Sequence, residues 1–94
     1  MRNAVLISQN DNVAVAVEPV KAGDTLCWLD PAGTEHTLAA AEDIKIYHKF
    51  ALRDIEKGEK IIKYGEHIGE AGERIRAGAH VHVHNVVSVR EKLV

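Results

Sequence analysis

Ala71-Gly72-Glu73-Arg74-Ile75-Arg76-Ala77-Gly78-Ala79-His80-Val81 repeats a spacing that the chain also carries at Ala16-Val17-Glu18-Pro19-Val20-Lys21-Ala22-Gly23-Asp24-Thr25-Leu26 and at Ala51-Leu52-Arg53-Asp54-Ile55-Glu56-Lys57-Gly58-Glu59-Lys60-Ile61. The shared pattern is Ala, three residues, Val or Ile, two residues, Gly, two residues and an aliphatic. Gly23, Gly58 and Gly78 stand 35 and 20 residues apart, so the spacing is not that of a regular solenoid. It reads instead as one local device used three times. An apolar anchor plugs the core, a glycine supplies positive φ for a tight turn, and a strand leaves the turn.

Working outward, short strands are expected at residues 3–8, 13–17, 25–29, 36–39, 48–52, 60–64, 69–71 and 80–87, from β-branched enrichment and turn punctuation. Asp11-Asn12 is expected to turn the first hairpin and Asp30-Pro31-Ala32-Gly33 the next. Residues 37–44 have the composition for one or two helical turns, and no more. Gly65, Gly69 and Gly72 lack the context of a phosphate loop and read as turn glycines. No linker divides the chain, so 1–94 is read as a single, mainly β domain of short antiparallel strands. Residues 88–94 read as an extended tail that could pass to another subunit.

Composition narrows the function classes. With 94 residues, the chain can bury roughly two-thirds of its unfolded surface. Aromatics are only 4% of residues, so the core must be aliphatic. A net charge of -2 without basic clustering argues against nucleic acid. The first ten residues hold four consecutive apolar side chains, too few for a signal-peptide core or a membrane span. Cys27 is the single cysteine, so no internal disulfide can form; it reads as core filling, in keeping with a reducing cytoplasm. Free sheet edges make a homo-oligomer plausible without specifying its symmetry.

The third copy runs into His80-Val81-His82-Val83-His84-Asn85. On a strand, His80, His82 and His84 share one face at intervals of about 6.7 Å, with Val81 and Val83 packed behind. Two such imidazoles can share a metal ion or an anion. The same alternation also suits a solvated edge strand. His36 and His67 carry no assignment.

Ile46-Tyr47-His48-Lys49-Phe50-Ala51-Leu52, Gly58-Glu59-Lys60-Ile61-Ile62-Lys63-Tyr64-Gly65, Ile68-Gly69 and the histidine run resemble, in order and spacing over about residues 43–87, the SAF-type N-terminal domain of altronate and galactarate dehydratases. That domain also occurs as the small subunit of related lyases such as sulfolactate sulfo-lyase. The first forty residues fit only through Val20-Lys21-Ala22-Gly23-Asp24. Tyr47 stands where the family has Gly, and Ala79 where it has Glu, changes that could alter a turn and a hydrogen bond.

The resemblance implies a β-clip fold of short, bent antiparallel strands. It also implies a large catalytic partner, because dehydration needs a region these residues do not contain. The chain would be the small subunit, or a detached domain, of a hydroxy-acid hydro-lyase. A divalent metal, Fe2+ or Mn2+, would bind the carboxylate and hydroxyl of the small hydroxy-acid substrate together. His82 and His84, with His80, would be ligands, and His48, His82 and His84 the catalytic candidates. Lys49 would hold the substrate carboxylate, with Lys63, Tyr64 and Asn85 completing the substrate contacts. Each has a plainer reading. His48 can be a capped, partly buried histidine, Lys49 and Lys63 surface lysines, and Tyr64 a core residue with its hydroxyl at the rim. The competing function is a non-catalytic module that binds a hydroxy acid or a partner protein on the same scaffold.

Overall fold

The computed structural model describes residues 2–88, and the tail from 89 onward lies outside them. All nine elements are strands: β1 (Ala4–Val5), β2 (Val13–Ala16), β3 (Thr25–Leu29), β4 (Glu35–Ala39), β5 (Lys49–Ala51), β6 (Lys60–Lys63), β7 (Glu66–Ala71), β8 (His80–Val81) and β9 (Val86–Ser88). They form three antiparallel sheets, ordered β1-β2-β5-β8, β3-β4 and β6-β7-β9. The mainly β expectation holds. No helix among the described residues is long and apolar enough to cross a membrane.

The device occurs four times, not three. Ala40-Ala41-Glu42-Asp43-Ile44-Lys45-Ile46-Tyr47-His48-Lys49-Phe50 is a further copy with Tyr47 in the glycine position. Tyr47 has φ 67°, alongside 91° at Gly23, 85° at Gly58 and 82° at Gly78. The copies at 16–26 and 40–50 pair with each other, as do those at 51–61 and 71–81. Val20 N–H donates to Ile44 O at 2.9 Å and Ile44 N–H to Val20 O at 2.8 Å; Ile55 and Ile75 exchange the same two bonds, both at 2.8 Å. Each turn N–H then donates to the opening Ala of the partner copy: Gly23 to Ala40, Tyr47 to Ala16, Gly58 to Ala71 and Gly78 to Ala51. Paired backbones lose their water without losing hydrogen bonds, so all four anchors can be buried. Each anchor contributes roughly 1.5–3 kcal/mol through its burial.

Two cores result, and the expectation of a wholly aliphatic core is corrected in the first, where the Trp28 and Phe50 rings meet edge-on at 5.6 Å. One gathers Val20, Leu26, Trp28, Ile44 and Phe50, and the other Val13, Ile55, Ile61, Ile75 and Val81. The β2–β5 ribbon lies between them. Its paired Ala14 and Phe50 serve the first core, and its paired Val13 and Ala51 the second, as alternation along a strand requires. Cys27 is buried, as expected of core filling.

Several local expectations are corrected. Residues 37–44 form no helix: the first three finish β4 against β3, and the rest open the 40–50 copy. The first turn spans Ser8 to Asp11, with Asp11 N–H on Ser8 O. Asp11 and Asn12 are buried instead, because their side chains accept from Gly65 and Ile62 N–H. Strand 3–8 shrinks to two residues. Gly69 lies inside β7, where any Cβ would meet Val86 Cγ1 and Val87 O at 2.7 Å, so it is a close-packing glycine. Gly72, at a bend, has no positive φ; Gly65 does turn, at φ 77°. Tyr64 is exposed rather than core, because φ 56° swings it out of the strand direction. The expected strand at 80–87 breaks after Val81, and Val83 is 82% exposed rather than packed.

The glycines differ in what surrounds them. A Cβ on Gly58 meets nothing, whereas on Gly78 it would press into the Ala39 carbonyl oxygen. Gly58→Ala is expected to cost about 1–2 kcal/mol, from the left-handed backbone alone. Gly78→Ala adds roughly 1–3 kcal/mol of overpacking to that. Tyr47→Gly relieves a left-handed tyrosine and is expected to gain about 0.5–1 kcal/mol. Urea unfolding midpoints should therefore rank Tyr47→Gly, wild type, Gly58→Ala and Gly78→Ala from most to least stable.

Candidate functional site

The histidines meet where the 40–50 and 71–81 copies release their strands side by side. β5 and β8 pair Lys49 with Val81 and Phe50 with His80. The same register carried one residue further sets His48 opposite His82, on the face that His80 shares. Their rings stack accordingly: His48–His82 centroids are 4.3 Å apart, His48–His80 5.0 Å and His80–His82 5.4 Å. His48 Nδ1 lies 2.8 Å from His80 Nε2, a hydrogen bond in which one ring carries the proton. One nitrogen from each of His48, His80 and His82 lies within 4.8 Å of the others.

His84 reaches the cluster by a different route from the one its spacing suggests. On a continuous strand it would lie about 13 Å from His80. Here Asn85 closes a turn: its Oδ1 accepts from His82 N–H at 2.9 Å, its Nδ2 donates to His80 O at 2.8 Å, and its N–H donates to His82 O at 3.1 Å. The turn folds the His84 ring back to 5.2 Å from that of His80. Asn85 is only 6% exposed, with both side-chain polar atoms bonded to backbone.

Charges around the cluster are uneven. Burial lowers the His80 pKa below its usual value, assisted by His48, His84 and His82 and opposed by Glu42. His82 is lowered by desolvation, then by His48, Lys49, His84 and Lys45. Imidazole ligates metal in its neutral form, which the lowered pKa values of His80 and His82 favour, and the convergence of one nitrogen each from His48, His80 and His82 fits a divalent ion. Lys49 is half-buried, and its pKa falls through desolvation and the nearby Lys63. Lys63 Nζ sits 4.7 Å from the Tyr64 ring centroid. Lys49 and Lys45 therefore bring positive charge to the His82 side of the cluster, where an anion would be drawn.

Sequence reasoning did not find Glu42. Its Oε1 accepts from His80 N–H at 2.7 Å, and with His80 and His84 it forms a second group of potential ligands. The signal was available only through the fourth copy, which places Glu42 in a loop instead of on a helical turn.

Comparison with known proteins identifies the family. The sequence model described as the altronate/galactarate dehydratase SAF domain matches residues 2–89. The altronate dehydratase of Bacillus subtilis is 36% identical over 85 residues, covering 90% of this chain and 16% of that protein. That of Escherichia coli is 44% identical over 75 residues, covering 80% of this chain and 14% of that protein. The chain thus spans about a sixth of these dehydratases. The (2R)-sulfolactate sulfo-lyase subunit alpha of Chromohalobacter salexigens is 42% identical over 77 residues, covering 81% of this chain and 82% of that subunit.

Two outcomes test the site. Asn85→Ala leaves His82 N–H and His80 O without their partner and is expected to cost about 1–3 kcal/mol in urea unfolding. His80 and His82 bind protons less readily folded than unfolded, so the unfolded chain takes up more protons as pH falls below the ordinary imidazole value of 6.5. Stability should hold above that value and decline below it. His80→Ala should flatten the decline.

Proposed function

The chain belongs to the altronate/galactarate dehydratase SAF-domain family, and on that premise we propose that it forms the histidine-and-lysine wall of a hydroxy-acid lyase site completed by a larger catalytic region. The observation that carries this reading is the stacked, converging His48–His80–His82 set with Lys49, itself close to Lys63, beside it. The matched region is 16% and 14% of two relatives named as dehydratases, which supports a partner region in the same or another chain.

The substrate is a small α-hydroxy acid. Lys49 and Lys63 take its carboxylate as point charges, and the exposed Tyr64 hydroxyl donates to a neighbouring hydroxyl. Elimination breaks a C–H bond beside the carboxylate and a C–O bond on the next carbon. Neutral His82 is suited to take that proton, and the imidazolium so formed returns it to the departing hydroxide, giving water and a carbon–carbon double bond. His48 holds His80 through the 2.8 Å bond, and Asn85 positions His82 and His84. Fe2+ or Mn2+ would be held through His48 and His80, leaving a His82 nitrogen free for the proton, and would supply Lewis-acid stabilisation of the enediolate-like charge. Tyr47 (72% exposed, at positive φ) and Val83 adjoin the histidines in the chain. Strain kept beside a site fits a surface that the partner covers. A cytoplasmic setting suits the buried, unpaired Cys27 thiol.

A second reading changes the leaving group. The match covers most of a sulfo-lyase alpha subunit, which favours a separate small subunit and departure of sulfite through C–S cleavage.

Reconstitution with the partner region and assay of dehydration and sulfite release over a panel of hydroxy acids decides between the two. In the active complex, His82→Ala is expected to lower kcat at least about 100-fold and Lys49→Ala to raise KM. Unchanged turnover in both His82→Ala and His48→Ala would refute the catalytic role. Tyr47→Gly should bind the partner more weakly despite its greater stability.

A further inference from the structure

His80 belongs to two ligand sets that face different surroundings. The first, with His48 and His82, is all nitrogen and lies beside lysines. The second combines Glu42 and His84 with His80, one ligand atom from each lying within 4.8 Å of the others. Two imidazoles and a carboxylate are a donor set for divalent transition metals that leaves coordination positions open.

The second set is held in place from the backbone. Glu42 Oε1 is fixed by the His80 N–H, which leaves the other carboxylate oxygen to point a lone pair elsewhere. Ala41 N–H donates to Gly78 O at 2.9 Å, clamping the Glu42 loop against the strand that carries His80. Outer hydrogen bonds of this kind orient ligands before the ion arrives. Glu42 and His84 line a cleft of about 250 Å³ together with Arg76. Arg76 has no ion-pair partner among the described residues, so its charge is available to an anion entering the cleft. His84 is exposed on its turn and its ring can rotate into a shorter ligand distance.

We propose that Glu42, His80 and His84 form a second divalent-metal site, open to the Arg76 cleft, which takes its ion in competition with the His48–His82 set through the shared His80. A neutral imidazole binds an ion through one nitrogen and keeps a proton on the other, so one equivalent of metal occupies the pair of sets. The proposal concerns metal binding and does not depend on the lyase reading.

Co2+ titration followed by visible absorption tests it on the full chain. His48→Ala/His82→Ala should still bind one Co2+, and adding Glu42→Gln should weaken that binding at least ten-fold. Gln keeps an oxygen to accept from His80 N–H, so folding is preserved, and far-UV circular dichroism confirms it. Loss of Co2+ binding in His48→Ala/His82→Ala or indifference to Glu42→Gln would each overturn the site.

Discussion

The paired backbone bonds between Val20 and Ile44, and between Ile55 and Ile75, are what the fold rests on. An eleven-residue device with one apolar anchor cannot bury that anchor alone, because its own peptide groups would go in unpaired. Two copies back to back satisfy each other's peptide groups and bury both anchors. The molecule does this twice and joins the results through the β2–β5 ribbon, both faces of which are covered. Aliphatic side chains fill the second core, while the first also takes Trp28 and Phe50.

The site arises from how the copies differ. In the first and third, the residue after the turn glycine is Asp24 or Glu59, whose carboxylate accepts from the turn's own Lys21 or Glu56 N–H. In the 40–50 and 71–81 copies the same place holds His48 or Ala79. Those two turns lack the carboxylate cap, and an imidazole or an open space faces the paired strands instead. The glutamate that bonds there comes from across the interface, as Glu42 on His80 N–H.

Much of this was legible in residue order. Three glycine copies, the 25–29 strand and the Asp30 turn all follow from local chemistry, and so does a histidine-bearing strand start at His80. The fourth copy was hidden because a tyrosine occupies a conformation that L residues seldom adopt, so glycine punctuation was missing. The strand expected at 80–87 failed because Asn85 outcompetes the ladder for the peptide groups of His80 and His82, a preference Asn shows in turns. Alternation placed the rings on one face; the turn, not the alternation, brings His84 to His80. Membership of the family was legible from the second half, where the motifs lie, while the first half contributes one short match.

The clamp between Ala41 N–H and Gly78 O, with no room for a side chain at Gly78, has a kinetic corollary. Glu42 and His48 ride on one lobe and His80, His82 and His84 on the other, yet the seam between lobes is backbone against backbone and admits no slack. Rearrangement of the imidazoles is therefore a matter of side-chain torsions, which in exposed residues take picoseconds to nanoseconds.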